Sequence, residues 1–142
     1  MAVAEMIKIT DGVEFNTIAR EWRMKWSVCL VFCPYLVSSP FLISFVFLVR
    51  SADNDKKSLA AVQQTLDVFL PQIKKVDGVK SIQRIVCGGC LDYKVIVALP
   101  AEKWGAWEQA KFAPEEEFLA ALKAINGVST LETQTYTIMP VL

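Results

Sequence analysis

Lys75-Val76-Asp77-Gly78-Val79-Lys80-Ser81-Ile82-Gln83 and Ala124-Ile125-Asn126-Gly127-Val128-Ser129-Thr130-Leu131-Glu132 match position by position in character. In each stretch a helical pattern ends and a strand pattern begins. The glycine falls where a helix C-terminus needs a left-handed residue, a conformation that costs glycine no Cβ clash. One Asp-Gly is turn punctuation; two such junctions in the same context imply two copies of one supersecondary unit.

Working outward, each junction is fed by a legible helix. From Ser58, apolar residues Leu59, Val62, Leu66, Phe69, Leu70 and Ile73 recur at three- and four-residue spacing and make one buried stripe. Asp53, Asn54 and Asp55 offer caps ahead of it, and Pro71 is expected to kink or shorten its last turns. The second helix opens at Ala113-Pro114-Glu115-Glu116-Glu117, acids beside the positive end of the dipole, and turns Phe118, Leu119, Leu122 and Ile125 inward. Residues 101–112 read as a short extra helix before it.

Between the helices, Val79–Cys87 and Cys90–Leu99 flank Gly88-Gly89 and read as a hairpin with a two-residue turn. Val128–Met139 is a further strand. Phe15–Trp26 alternates Ile18, Trp22, Met24 and Trp26 with Ala19, Glu21, Arg23 and Lys25, the period of a half-buried first strand. The order strand–helix–strand–strand–helix–strand predicts an α+β domain of ferredoxin-like, split βαβ type, an antiparallel sheet with helices on one face and the first strand between the third and fourth. Residues 1–14 are then a lead-in, and residues 15–142 one domain interrupted at 27–51.

The element order, the paired helix–Gly–Val–strand junctions and the aromatic helix with Trp104, Trp107 and Phe112 resemble the stress-responsive A/B barrel family, the dimeric α+β barrels. The resemblance runs over Phe15–Trp26 and Asp53–Leu142. It implies two sheets paired face to face across a two-fold axis, enclosing small, often aromatic molecules. Catalytic members commonly use a histidine in the barrel, and this sequence has none, so the resemblance implies fold and dimerisation more than catalysis.

Composition narrows the chemistry further. Fifteen basic and fifteen acidic residues give zero net charge, with no global field for nucleic acid. Without histidine the commonest general base and metal ligand is missing, and no motif calls for a cofactor. The first 26 residues carry no basic region leading into an apolar stretch, which argues against secretion and leaves a cytoplasmic or organellar protein. Four cysteines are too few for a secreted disulfide framework.

Residues 28–49, VCLVFCPYLVSSPFLISFVFLV, hold no charge and suit a membrane-spanning helix in length. A single crossing would put the first strand on the opposite side from its partners, so both assignments cannot hold. A re-entrant hairpin turning at Ser38-Ser39-Pro40 would return the chain to the same side. A buried apolar insertion in a soluble domain is another reading. So is a retained intron, since Phe, Leu, Val, Ser and Cys have pyrimidine-rich codons.

Three constellations are left to carry function. Cys87-Gly88-Gly89-Cys90 is a CxxC pair whose residues are expected opposite each other across the turn, either a redox dithiol, geometrically demanding as a disulfide, or plain thiols bordering the turn; a zinc site would lack two ligands. The helix-free sheet face gathers Glu21, Arg23, Lys25, Asp92, Lys94, Glu132, Gln134 and Tyr136. It is either a polar cavity in which Trp22, Arg23, Lys94 and Tyr136 hold a small apolar ligand, with Tyr136, Arg23 and Glu132 nearest any chemistry, or a face of mutually neutralising pairs. Arg20 falls on the apolar side, where snorkelling from the strand's edge would accommodate it. The leading expectation is a non-catalytic protein that associates with itself or with protein partners, on a membrane if 28–49 is inserted.

Overall fold

The computed structural model describes residues 5–26, 29–31, 49–51 and 56–142. Two short strands, β1 (Ile7–Thr10) and β2 (Val13–Phe15), pair as a hairpin around Asp11-Gly12. The lead-in therefore carries an element of its own. Gly12 sits at φ 76°, the left-handed conformation such a tight turn demands. Strand β3 (Thr17–Lys25) follows, then β4 (Cys29–Val31), β5 (Val49–Ser51), α1 (Lys57–Lys74), β6 (Ser81–Cys87), β7 (Asp92–Pro100), α2 (Ala101–Gln109), α3 (Glu115–Lys123) and β8 (Ser129–Ile138).

Strands β6, β7, β3 and β8 form one antiparallel sheet in that order. The first long strand thus lies between the third and fourth, as the split βαβ pattern requires. The repeated junction is visible in the backbone. Val76 N–H donates to Ile73 C=O and Val79 N–H to Val76 C=O; Ile125 N–H donates to Leu122 C=O and Val128 N–H to Ile125 C=O. Gly78 and Gly127 occupy the same left-handed region, at φ 88° and 96°.

One face of the sheet carries the core. Trp22, Met24, Tyr93, Val95, Val97 and Leu99 meet Val62, Leu66 and Ile73 of α1 and Phe118 and Leu122 of α3, all buried. A nine-residue helix such as α3 is too short to persist alone. Its two fully buried side chains contribute about 1.5–3 kcal/mol each and supply what propensity cannot. Aromatic rings of β3, α2, α3 and the loop after α2 pack edge-on: Trp22–Phe118 centroids lie 5.2 Å apart, Trp104–Trp107 5.5 Å and Trp107–Phe112 5.2 Å.

Several local expectations need correction. The turn of the β6–β7 hairpin is four residues long, 88–91, because Cys87 pairs with Asp92 and Leu91 adopts φ 59°. Helix α1 runs on past Pro71 to Lys74. Helix α2 stops at Gln109, where Lys111 and Phe112 turn to positive φ. Pro114 is the N-cap of α3, outside its first turn.

The sheet also decides between the readings of the apolar run. Strand β3 precedes it, β7 and β8 follow it, and all three share one sheet, so a single crossing of a membrane between them is excluded. The ends of the run, β4 and β5, pair antiparallel with Leu30 opposite Arg50. Among the described residues no helix is long and apolar enough to cross a membrane. The re-entrant, buried and intron readings turn on residues 32–48, and the expected caps on 53–55; both lie outside the described residues.

Candidate functional site

Strand alternation sorts the candidate residues. Thr17, Ala19, Glu21, Arg23 and Lys25 of β3 point away from the helices, and the register sets them against Asp92, Lys94, Ile96 and Ala98 on one side and Glu132, Gln134, Tyr136 and Ile138 on the other. Arg23, Lys94, Glu132 and Tyr136 are therefore brought onto one face. Trp22 is not: it lies fully buried on the helix side, among the core rings.

At the centre of the helix-free face Glu21 is only 7 % exposed. It accepts a hydrogen bond from the Tyr136 hydroxyl at 2.9 Å, and Lys94 Nζ stands 3.8 Å away. Burial, reinforced by the hydrogen bond to Glu21, pushes the Tyr136 phenol up to about 12. Toward the hairpin tip Asp92 takes Lys25 Nζ at 2.7 Å and Arg23 Nη2 at 3.0 Å, while Arg23 Nη1 reaches Glu132 at 3.8 Å. The hydrogen bond from Lys25, with that from Arg23, holds the Asp92 carboxyl below the usual carboxylate range against the cost of its burial. At the opposite end the face turns apolar, with Ala19, Ile96 and Ala98 buried beneath Tyr136 and Ile138. Six charged side chains, three of each sign, are thus cross-linked into a neutral lattice beside an apolar patch.

A second cluster lies on the helix side. Arg20 does not snorkel from an edge, because β3 is central. Its Nε and Nη2 grip Glu115 of α3 at 2.7 and 2.8 Å, Nη1 donates to Thr135 Oγ1 at 2.9 Å, and the guanidinium rests 4.2 Å from the Phe112 ring centroid. Trp22 Nε1 donates to the same carboxylate at 2.7 Å. The sequence signal for Glu115 was its place at a helix start, which explains an acid there and says nothing of a partner 95 residues away. Tyr93, also on this side, donates to Gln63 Oε1 at 2.7 Å, and burial lifts its phenol to about 12.

Cys87 and Cys90 are joined by a disulfide across the hairpin turn, with Cα atoms 5.5 Å apart. They are not opposite one another in the ladder, since Cys90 lies in the turn. Among the described residues no group of three or more cysteine or acidic side chains could hold a metal ion. An open cleft of about 150 Å³ is lined by Glu5, Ile7, Asn16, Pro100, Ala101 and Glu102, none of them a member of either cluster.

No family model matches this sequence, and no curated protein does. Among solved structures the chain is similar to the Rv0793 protein of Mycobacterium tuberculosis, at 9 % identity over 88 % of this chain and 97 % of that one, TM-score 0.49. It is similar to the same degree, TM-score 0.49, to SnoaB, a cofactor-independent oxygenase from Streptomyces nogalater, at 12 % identity over 89 % of this chain and 97 % of that one. The chain is, on its own topology, an α+β protein of ferredoxin-like form.

Proposed function

We propose that this chain works by association and not by catalysis, two copies packing their helix-free sheet faces together as a dimeric α+β barrel. The observation that carries the reading is the neutral lattice beside an apolar patch. Glu21, Asp92 and Glu132 are matched by Arg23, Lys25 and Lys94 within the chain. A two-fold contact places a face against itself, so a face of balanced sign meets no net repulsion. Ala19, Ile96, Ala98, Tyr136 and Ile138 add an apolar cluster on the side of the sheet that carries no helix layer among the described residues, and sheets gain most stability between two layers.

The titratable groups on this face argue in the same direction. Asp92 is held ionised and Tyr136 protonated, both pushed away from neutrality, whereas a general acid or base works best with a pKa near the operating pH. Arg23, likewise raised by its hydrogen bond to Asp92, serves as a fixed charge.

Sedimentation equilibrium over a range of concentrations tests the reading. The chain should dimerise, and Ile138→Glu, which places a charge at the apolar end of the face, should weaken the dimer about tenfold or more, some 1.4 kcal/mol. A chain that stays monomeric at every concentration sinks the reading. So does a dimer indifferent to Ile138→Glu.

A further inference from the structure

The disulfide at the tip of the β6–β7 hairpin is built unlike a structural staple. It closes a loop of only two intervening residues, and short loops give cross-links little chain entropy to remove. The hairpin does not depend on it, because the ladder runs in unbroken register from Ser81 opposite Ala98 to Cys87 opposite Asp92. Cys90 is exposed and Cys87 half-buried. Gly88 and Gly89 between them have open space where side chains would stand, so a small thiol can approach the bond. Exposed disulfides of this kind are the exchangeable ones.

The bond is also wired to the sheet face. The Cys90 carbonyl accepts a hydrogen bond from Lys25 Nζ at 2.8 Å, and the same ammonium reaches Asp92 at 2.7 Å, the residue paired with Cys87 across the ladder. The ladder ends at Cys87, and beyond it the disulfide closes the turn that carries the Cys90 carbonyl.

We infer that Cys87–Cys90 is a thiol–disulfide exchange site, opened by low-molecular-weight thiols, whose redox state sets how firmly Lys25 is held at the end of the charged lattice. In the first step a thiolate attacks the exposed Cys90 Sγ, a mixed disulfide forms and Cys87 leaves as thiolate. A second thiolate then attacks the external sulfur, releasing the small disulfide and the Cys90 thiolate. The protein bond gains two electrons, two small thiols are oxidised to one disulfide, and their two protons finish on Cys87 and Cys90. The Lys25 ammonium beside the turn favours the thiolates through which both steps pass.

The inference stands independently of self-association, and its test does too. The folded chain is equilibrated with reduced and oxidised glutathione in varied ratio, quenched in acid and alkylated. Cleavage after Arg84 and Lys94 yields peptide 85–94, which contains both cysteines and neither Cys29 nor Cys33. The peptide should pass from bonded to doubly alkylated in one transition while tryptophan fluorescence stays native. In parallel, the rate of Lys25 acetylation should rise roughly three- to tenfold on reduction, the scale of losing one ordinary solvent-exposed hydrogen bond. Cys87→Ala with Cys90→Ala should show the fast rate at every glutathione ratio. A bond that resists excess reduced glutathione, opens only with unfolding, or opens without change at Lys25 overturns the inference.

Discussion

Glu115 is the residue on which the helix side of the sheet turns. Its carboxylate takes Arg20 in a two-pronged grip and Trp22 at once, with the Arg20 and Glu115 side chains 14 % and 15 % exposed. Removing one partner of a largely buried pair leaves the other charge unsatisfied, so Glu115→Gln should cost about 3 kcal/mol in urea unfolding. A loss near zero would mean that water already serves Arg20. On the other face Asp92 is the pH-sensitive group. Its folded pKa lies below its unfolded value, so its contribution is present at neutral pH and fades as pH falls through the acid range. Asp92→Asn should be less stable at pH 7 and show a shallower loss of stability below about pH 4; unchanged acid sensitivity would deny Asp92 that role. The alternation of β3 made the placement of Glu21, Arg23 and Lys25 legible from sequence. The same alternation also put Arg20 among apolar residues, and no local pattern could supply its distant partner.

Among the elements, the two Gly junctions carried the fold. They were legible because helix exit by a left-handed residue is a local, steric matter that leaves its mark in one amino acid. At Gly78 the demand is doubled: φ is positive, and an added Cβ would come within 2.9 Å of Lys103 Cβ and 2.7 Å of its Cγ. Gly78→Ala should therefore cost about 2 kcal/mol, read from the denaturation midpoint, and would also strain the Lys103–Asp77 ion pair at 2.8 Å. A neutral Gly78→Ala would show that α2 yields easily. Elsewhere local signals were present and gave less. Asp11-Gly12 flanked by Ile7, Ile9, Val13 and Phe15 is a hairpin signature, but the short strands leave Ile7, Ile9 and Val13 exposed and fully bury no face that periodicity could reveal. Gly88-Gly89 marked a turn correctly and its length wrongly, because two glycines permit many turns and the ladder register chooses among them.

At the scale of the molecule, every core residue described for the helix side comes from 18–26 or from beyond residue 58. Excising 28–51 would leave Trp26, Ser27 and residues 52–56 between β3 and α1, seven residues, a short connection of the kind compact domains use. The shortened chain should keep a cooperative unfolding transition and native tryptophan fluorescence; loss of cooperativity would show that the run supplies core after all. An intact mass from the native source would tell which of the two chains the cell makes. The central position of β3 carries one more consequence, for the time course of folding. The strand is synthesised before all of its partners: Arg23 waits for Asp92, 69 residues on, and Arg20 for Thr135, 115 residues on. Helices and the β6–β7 hairpin close locally, but the sheet cannot be threaded until its first-made strand is clasped from both sides by much later ones. Such high contact order makes for slow folding, during which Trp22, Met24 and Trp26 stand without cover and a chaperone has its longest opportunity to bind.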